Sequence, residues 1–187
     1  MKKRNNNNWI FTISIILTAI VMAFLSFVPV SIEFIKPFIV YFDPTKLLSN
    51  LPLWIFINSI IALYSHSEKT ATLNTTLFNI VCFVSYCLFS IILTHTMPKE
   101  IFLTWIVFTL IWTIFSYLVW SANQSDSKGW ILSTLLLAIL FSTCFTYTEN
   151  TISNTTILNF LLYVFLVVIL YKGTKETLII VVSSIIL

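Results

Sequence analysis

Ile101 to Ser121 reads IFLTWIVFTLIWTIFSYLVWS, 21 residues without one Asp, Glu, Lys or Arg. As an α-helix this stretch is about 30 Å long, which matches the hydrocarbon core of a bilayer. The rest of the chain supplies little polar surface to cover it. Of 187 residues, 58% are hydrophobic and 9% are charged, with 17 Phe, 6 Trp and 7 Tyr, and the mean hydropathy is +0.98. Soluble domains carry about 25% charged residues. This chain cannot build a water-facing shell, and a soluble globular fold is excluded. Intrinsic disorder needs low hydrophobicity and nucleic-acid binding needs a basic face. The net charge of +3 is scattered apart from Lys2, Lys3 and Arg4, so no nucleic acid is expected as a partner. The partner that composition demands is the lipid bilayer.

Working outward from residues 101–121, five more apolar runs read as helical spans: about 9–29, 51–65, 77–94, 129–145 and 155–171. Residues 9–29 follow a basic segment, as a signal peptide would, but the run is too long for one and no small-x-small cleavage site follows it. It is read as a span. The runs at 51–65 and 155–171 are short and are expected to borrow flanking residues. Residues 178–187 are apolar but too few to cross alone, which leaves a half-span, an interfacial segment or a span cut short. Helix punctuation agrees with these borders. Ser49 or Asn50 is a candidate cap with Pro52 in the following turn. Residues 125–127 and 154–156 offer caps further on, and Pro98 interrupts the chain before residue 101. The expectation is one domain over residues 1–187: all-α, a six-helix transmembrane bundle.

Basic residues in the connections orient such a bundle. Lys2, Lys3, Arg4, Lys69, Lys128, Lys172 and Lys175 fall on one side, and Lys36, Lys46 and Lys99 on the other. Seven against three puts both termini in the cytoplasm. Ring residues prefer the membrane–water interfaces. Trp9, Tyr64, Trp120, Trp130 and Tyr171 end spans on the cytoplasmic side, whereas Trp54, Trp105 and Tyr147 lie near the outer ends. The composition, rich in Ile, Phe, Asn and Lys with 2 Gly, points to a bacterial cytoplasmic membrane.

No ionisable Asp, Glu, Lys or Arg falls within the six spans. Proton relays and ion pumps need such groups, so those mechanisms lose their support. Cys82, Cys87 and Cys144 lack metal or disulfide spacing and read as small packing residues. The chain has no H-E-x-x-H, no paired intramembrane Asp, no G-x-S motif and no His close upstream of a Cys. Catalytic residues, metals and cofactors are therefore not expected, nor is an enzyme. His66 reads as a solvated loop residue.

The remaining polar residues are amides and rings. Asn50, Trp54 and Asn58 recur every four residues and share one helical face near the outer end of the second span. Asn159 and Tyr163 repeat the spacing in the outer half of the sixth. Trp105 begins the fourth span at that depth, and His95 ends the third. These seven residues are candidates for a ligand pocket that opens outward, mostly apolar with a few hydrogen-bonding groups. The competing use of the same amides is to join helices.

The stretch Leu48-Ser49-Asn50-Leu51-Pro52-Leu53-Trp54, continuing to Asn58-Ser59, resembles small bacterial multi-spanning membrane proteins of a family with no assigned function. The likeness runs loosely over the third and fourth spans and includes Lys128-Gly129-Trp130. It implies a six-span fold and no activity. In size, span number and a small-x-x-x-small pattern in the first span, the chain is also similar to the substrate-binding S components of energy-coupling-factor vitamin transporters. Ala19 and Ala23 supply that pattern. Small residues four apart let another helix approach closely, whether a partner's or one of the same bundle. The resemblance implies a partner-docking role for Ala19 and Ala23 toward a membrane coupling subunit with ATPases, because this chain has no nucleotide-binding loop. Two functions are carried forward: a small-molecule-binding membrane subunit of an uptake transporter, and a non-catalytic membrane protein acting through protein contacts, such as an immunity or assembly factor.

Overall fold

A computed structural model describes residues 8–27, 50–124, 126–144 and 154–186. The described residues form seven α-helices and no strand. They are α1 (Asn8–Leu25), α2 (Leu51–Tyr64), α3 (Glu68–Thr94), α4 (Phe102–Ala122), α5 (Ser127–Cys144), α6 (Asn154–Ile169) and α7 (Thr174–Ile186), with a 3-10 turn at Lys99–Ile101 leading into α4. Two helices, Glu68–Thr94 and Lys99–Ala122, are long and apolar enough to cross a membrane, while α1, α2, α5 and α6 are shorter apolar helices. Lys2, Lys3, Arg4, Lys36, Lys46, Ser49 and Tyr147 lie outside the described residues.

Helix direction can be read from the bonds that join the helices. Thr12 bonds Asn74 at 3.3 Å, and further along the same two helices Phe24 meets Phe89 edge-on at 5.4 Å. The pairs advance together, so α1 runs parallel to α3. Between α2 and α3 the pairs run in opposite order, Asn58 with Asn79 and Ser65 with Asn74. Between α3 and α4, Thr76 bonds Thr113 at 2.8 Å and Phe83 meets Phe102 at 4.7 Å, again antiparallel. One end of the bundle therefore gathers Ser65, Glu68, Gln124, Lys128 and Lys172 and is called the base here. The opposite end, the top, gathers Asn50, Trp54, Trp105 and Asn159.

Two borders differ from the sequence reading, each for a local reason. The third helix begins at Glu68 rather than at residue 77. Ser67 caps it: its Oγ accepts the Thr70 N–H, and the Thr70 Oγ1 accepts the Ser67 N–H at 2.8 Å. That reciprocal pair satisfies two end donors, and the polar turns that follow stay helical because Asn74 and Thr76 find partners on other helices. The second helix starts at Leu51 with a proline in its first turn, but Asn50 makes no side-chain cap. Its amide donates to Asn159 instead. The helix at 51–64 takes no extra turn from Asn50 or Ser65, and α6 ends at Ile169.

At the base, the α4–α5 and α6–α7 connections are tied together. Asp126 Oδ1 accepts the Gly129 N–H at 2.8 Å and caps α5. Ser133 donates to the Ala122 carbonyl at 2.8 Å. Lys172 Nζ donates to the Gln124 carbonyl at 2.6 Å, where the negative end of the α4 dipole favours a cation. Burial lowers the Lys172 pKa, and Asp126 and Glu176 oppose that shift. Gly173, at φ +135°, supplies the turn that sends α7 back along the bundle, until Ser184 meets Tyr163 at 2.9 Å. α7 is thus a 13-residue helix that turns back along α6.

Gly129 is packed so closely that a Cβ there would collide with the Gln124 carbonyl. Gly129→Ala is expected to cost about 1–3 kcal/mol through overpacking, read as a lowered midpoint in thermal unfolding of the detergent-solubilised protein. Ser127→Ala, at an exposed neighbouring position, should stay within about 0.5 kcal/mol of wild type. Equal stability for both variants would show that the α4–α5 turn is looser than this.

Candidate functional site

Many of the polar side chains of the bundle lie inside it, beside an apolar core. Asn58, Ser59, Ser65, Thr75, Asn79, Ser116 and Ser133 are fully buried, while Leu17, Val21, Leu73, Val84, Leu110, Ile114 and Val168 are exposed. Two amide relays run between α2 and α3. Near the base, Thr12 donates to Asn74 Oδ1, Asn74 Nδ2 donates to Ser65 Oγ at 3.1 Å, and Ser65 Oγ donates to the Ile61 carbonyl at 2.7 Å. Trp120 Nε1 closes this group on the Ser65 carbonyl at 3.2 Å. Deeper in, Asn79 Nδ2 donates to Asn58 Oδ1 at 2.9 Å, and Asn58 Nδ2 donates to the Trp54 carbonyl at 2.9 Å.

The second relay is incomplete. Asn79 Oδ1 and Thr75 Oγ1, one helical turn apart, are buried with no hydrogen-bond partner among the described residues. Leaving an acceptor unmet in apolar surroundings costs about 1–3 kcal/mol. Asn79 lies about 16 Å along α3 from Glu68, so these open acceptors sit near the middle of the bundle.

The residues expected to line an outer pocket are brought together in part. Asn50 Nδ2 donates to Asn159 Oδ1 at 2.6 Å, which joins α2 to α6. Trp54 meets Trp105 edge-on at 5.2 Å and also meets Phe78 and Phe108, each at 6.2 Å, which joins α2 to α3 and α4. Asn58 faces Asn79 rather than the top. Tyr163 turns to Ser184 on α7 and to Phe141 at 5.4 Å. His95 is exposed and terminates α3 in the left-handed conformation at φ 55°. Among these residues Asn50 pairs with Asn159 and Trp54 with Trp105, while two apolar grooves lie elsewhere, between α4 and α5 and between α1 and α2.

Ala19 and Ala23 are also placed. Both are buried, in a cluster with Ile15, Ile61, Phe78 and Cys82. The close approach they allow is taken up inside the chain, by α3, where they pack in one cluster with Phe78 and Cys82.

Sequence reasoning missed Asn79, Thr75, Asn74 and Lys172. The signal was present in α3, where Asn74, Thr75, Asn79, Ser85 and Ser90 are buried while Leu73, Ile80, Val84 and Leu88 are exposed. Searching for polar residues on the inner face, instead of at the outer ends, finds them.

No family model, no curated protein and no solved structure matches this chain. The two family likenesses therefore rest on the residues quoted for them.

The Asn58–Asn79 bond should be measurable by a double-mutant cycle. Asn58→Leu leaves the Asn79 amide wholly unpaired and is expected to lose about 1–3 kcal/mol. Adding Asn79→Leu should recover part of that loss, with a coupling energy of about 0.6–1.7 kcal/mol, the range for amide pairs between membrane helices. Strictly additive losses would mean that the pair makes no net bond. At the other end of α3, His95→Gly should stabilise the fold by about 1 kcal/mol by removing a side chain from a left-handed position.

Proposed function

We infer that the chain is a six-span integral membrane protein of the cytoplasmic membrane, with the base and both chain ends in the cytoplasm, serving as a non-catalytic small-molecule-binding subunit of an uptake transporter. The observation that carries the membrane part is the broad apolar surface of the bundle, where large hydrophobic side chains are exposed on its helices. In water that surface would be an aggregation patch, whereas in hydrocarbon it is the stable arrangement. Direct bonds support alternation of α1 to α4, and the basic residues at the base agree with the positive-inside rule.

The binding part rests on the open acceptors. A purely structural relay has no use for Asn79 Oδ1 and Thr75 Oγ1 left unmet beside Asn58. A small uncharged molecule carrying N–H or O–H groups satisfies both, and gains specificity because an analogue lacking those donors leaves them buried and unpaired. Asn50–Asn159 and the Trp54–Trp105 pair then close the path above. With Ala19 and Ala23 buried, a coupling subunit with ATPases has to dock on another face. Action through protein contacts is the second reading, favoured by the mutual bonding of the top residues.

Two measurements test this. Reporter fusions after Lys69, Lys128 and Lys175 should report cytoplasm, and fusions near Lys46, Lys99 and Glu149 should report exterior. Any loop on the opposite side breaks the six-span assignment there. For binding, protein purified from its native membrane should release a small molecule on denaturation, detected by mass spectrometry, and Asn79→Leu should release at least tenfold less. If wild type and variant release the same compounds, the capture reading fails and the contact reading takes its place.

A further inference from the structure

Between α4 and α5 lies an apolar groove of about 310 Å³, lined by Phe115 and Leu118 on one side and Leu132, Leu135 and Ile139 on the other. Its α5 wall is continuous with a charge. At 100° per residue, Lys128, Leu132, Leu135 and Ile139 fall within a sector about 60° wide, so Lys128 heads the same face one turn before the groove begins. Lys128 is exposed, and Asn123 is exposed at the facing end of α4. Lys172 is bonded to the Gln124 carbonyl, and Lys128 is the lysine that shares the helical face of the groove's α5 wall.

The dimensions fit one kind of occupant. Lys128 to Ile139 spans about 16 Å along α5, half of a hydrocarbon core of roughly 30 Å and hence the depth of one leaflet. Side chains on a helix lean toward its N-terminus, so Lys128 leans away from the groove toward the base, at headgroup level. Resting on the membrane reading above, we propose that this groove seats one acyl chain of an anionic phospholipid from the cytoplasmic leaflet, with its phosphate on Lys128 Nζ. A zwitterionic lipid fills the apolar slot equally well, but its own ammonium shields the phosphate. Headgroup preference is what Lys128 adds, and one lysine at the surface of an anionic leaflet is worth about fivefold in binding.

The second groove, about 260 Å³ between α1 and α2 and lined by Phe11, Ile15, Thr18, Ile57 and Ile60, is an internal control. Its hydroxyls donate to their own helix, Ser14 to the Ile10 carbonyl and Thr18 to the Ser14 carbonyl. No lysine heads it among the described residues, and Lys2, Lys3 and Arg4 precede α1 in the sequence, so it is the Lys128 variants that tell the two grooves apart.

The test uses the full chain reconstituted in vesicles of phosphatidylglycerol and phosphatidylcholine in equal parts, with identical acyl chains, then released for native mass spectrometry. Wild type should retain phosphatidylglycerol about fivefold over phosphatidylcholine. Lys128→Gln should bring the two to parity and Lys128→Arg should keep the preference. Leu135→Trp, at a half-exposed groove position, should lower retention of both lipids. Equal retention by wild type, or a preference that survives Lys128→Gln, overturns the proposal while leaving the membrane reading standing. A chain that fails to enter vesicles overturns both.

Discussion

A bundle whose outer faces are Ile, Leu, Val and Phe has one place to put its hydrogen-bonding groups. An amide or hydroxyl held inside it is met by its own helix or by a neighbouring one, apart from Thr75 Oγ1 and Asn79 Oδ1. Many of the hydroxyls take the first route. Ser59 donates to the Ile55 carbonyl at 2.7 Å, Thr134 to the Trp130 carbonyl at 3.0 Å and Thr113 to the Thr109 carbonyl at 2.8 Å, the back-bonding that Ser and Thr allow in helices. Amides are too long and carry too many groups for that solution, so they cross between helices. Asn50 reaches Asn159, Asn58 reaches Asn79, and Asn74 reaches Ser65 and Thr12. The positions of these five asparagines thus help to set which helices lie side by side. Each bond is worth only about 1 kcal/mol. Its larger effect is on register, since sliding a helix by one turn would strand both partners.

The base works by a different rule, since charges and loop carbonyls meet there. The Gln124 carbonyl, left free by the end of α4, receives Lys172 from the α6–α7 connection, and the Ala122 carbonyl receives Ser133. Both acceptors belong to a helix C-terminus, where carbonyls lack intrahelical donors. The contact has a cost, since partial burial disfavours the ammonium and lowers its pKa, and Asp126 and Glu176 nearby offset part of that. Two connections far apart in sequence are thereby fixed to each other, and the close packing of Gly129 against Gln124 holds the acceptor in place.

Much of this fold was legible because span borders depend on where apolar runs stop, and runs such as 101–121 and 129–145 stop sharply. The third border was misread because Asn74, Thr75 and Thr76 look like a loop when partners on other helices are unknown. Once Thr12, Ser65 and Thr113 are in place, those polar turns are as well satisfied in a helix as outside one. The candidate site turns on the same limit. Helical spacing does put Asn50, Trp54 and Asn58 on one face, but spacing cannot say what that face meets. Asn50 looked like a helix cap because its neighbours in sequence allow one, yet its amide donates to Asn159 and makes no cap. The partner 109 residues away is invisible to any local reading.

The packing of α1 shows how small residues decide an arrangement that dipoles disfavour. Running parallel to α3, α1 sets like helix ends side by side and gains nothing from macrodipole pairing. Its attachment must come from shape and from a few directed contacts. Ala19 and Ala23, fully buried against Phe78 and Cys82, let the two backbones approach, and close approach multiplies dispersion contacts that are individually weak. Thr12 to Asn74 near the base and the ring pairs Phe24–Phe89 and Phe27–Tyr86 near the top then fix the register. A bulky residue at position 19 or 23 would push α1 off α3, stretching the Thr12–Asn74 bond before it disturbed any other helix. Because Asn74 also donates to Ser65, that strain would pass to α2 through a single amide.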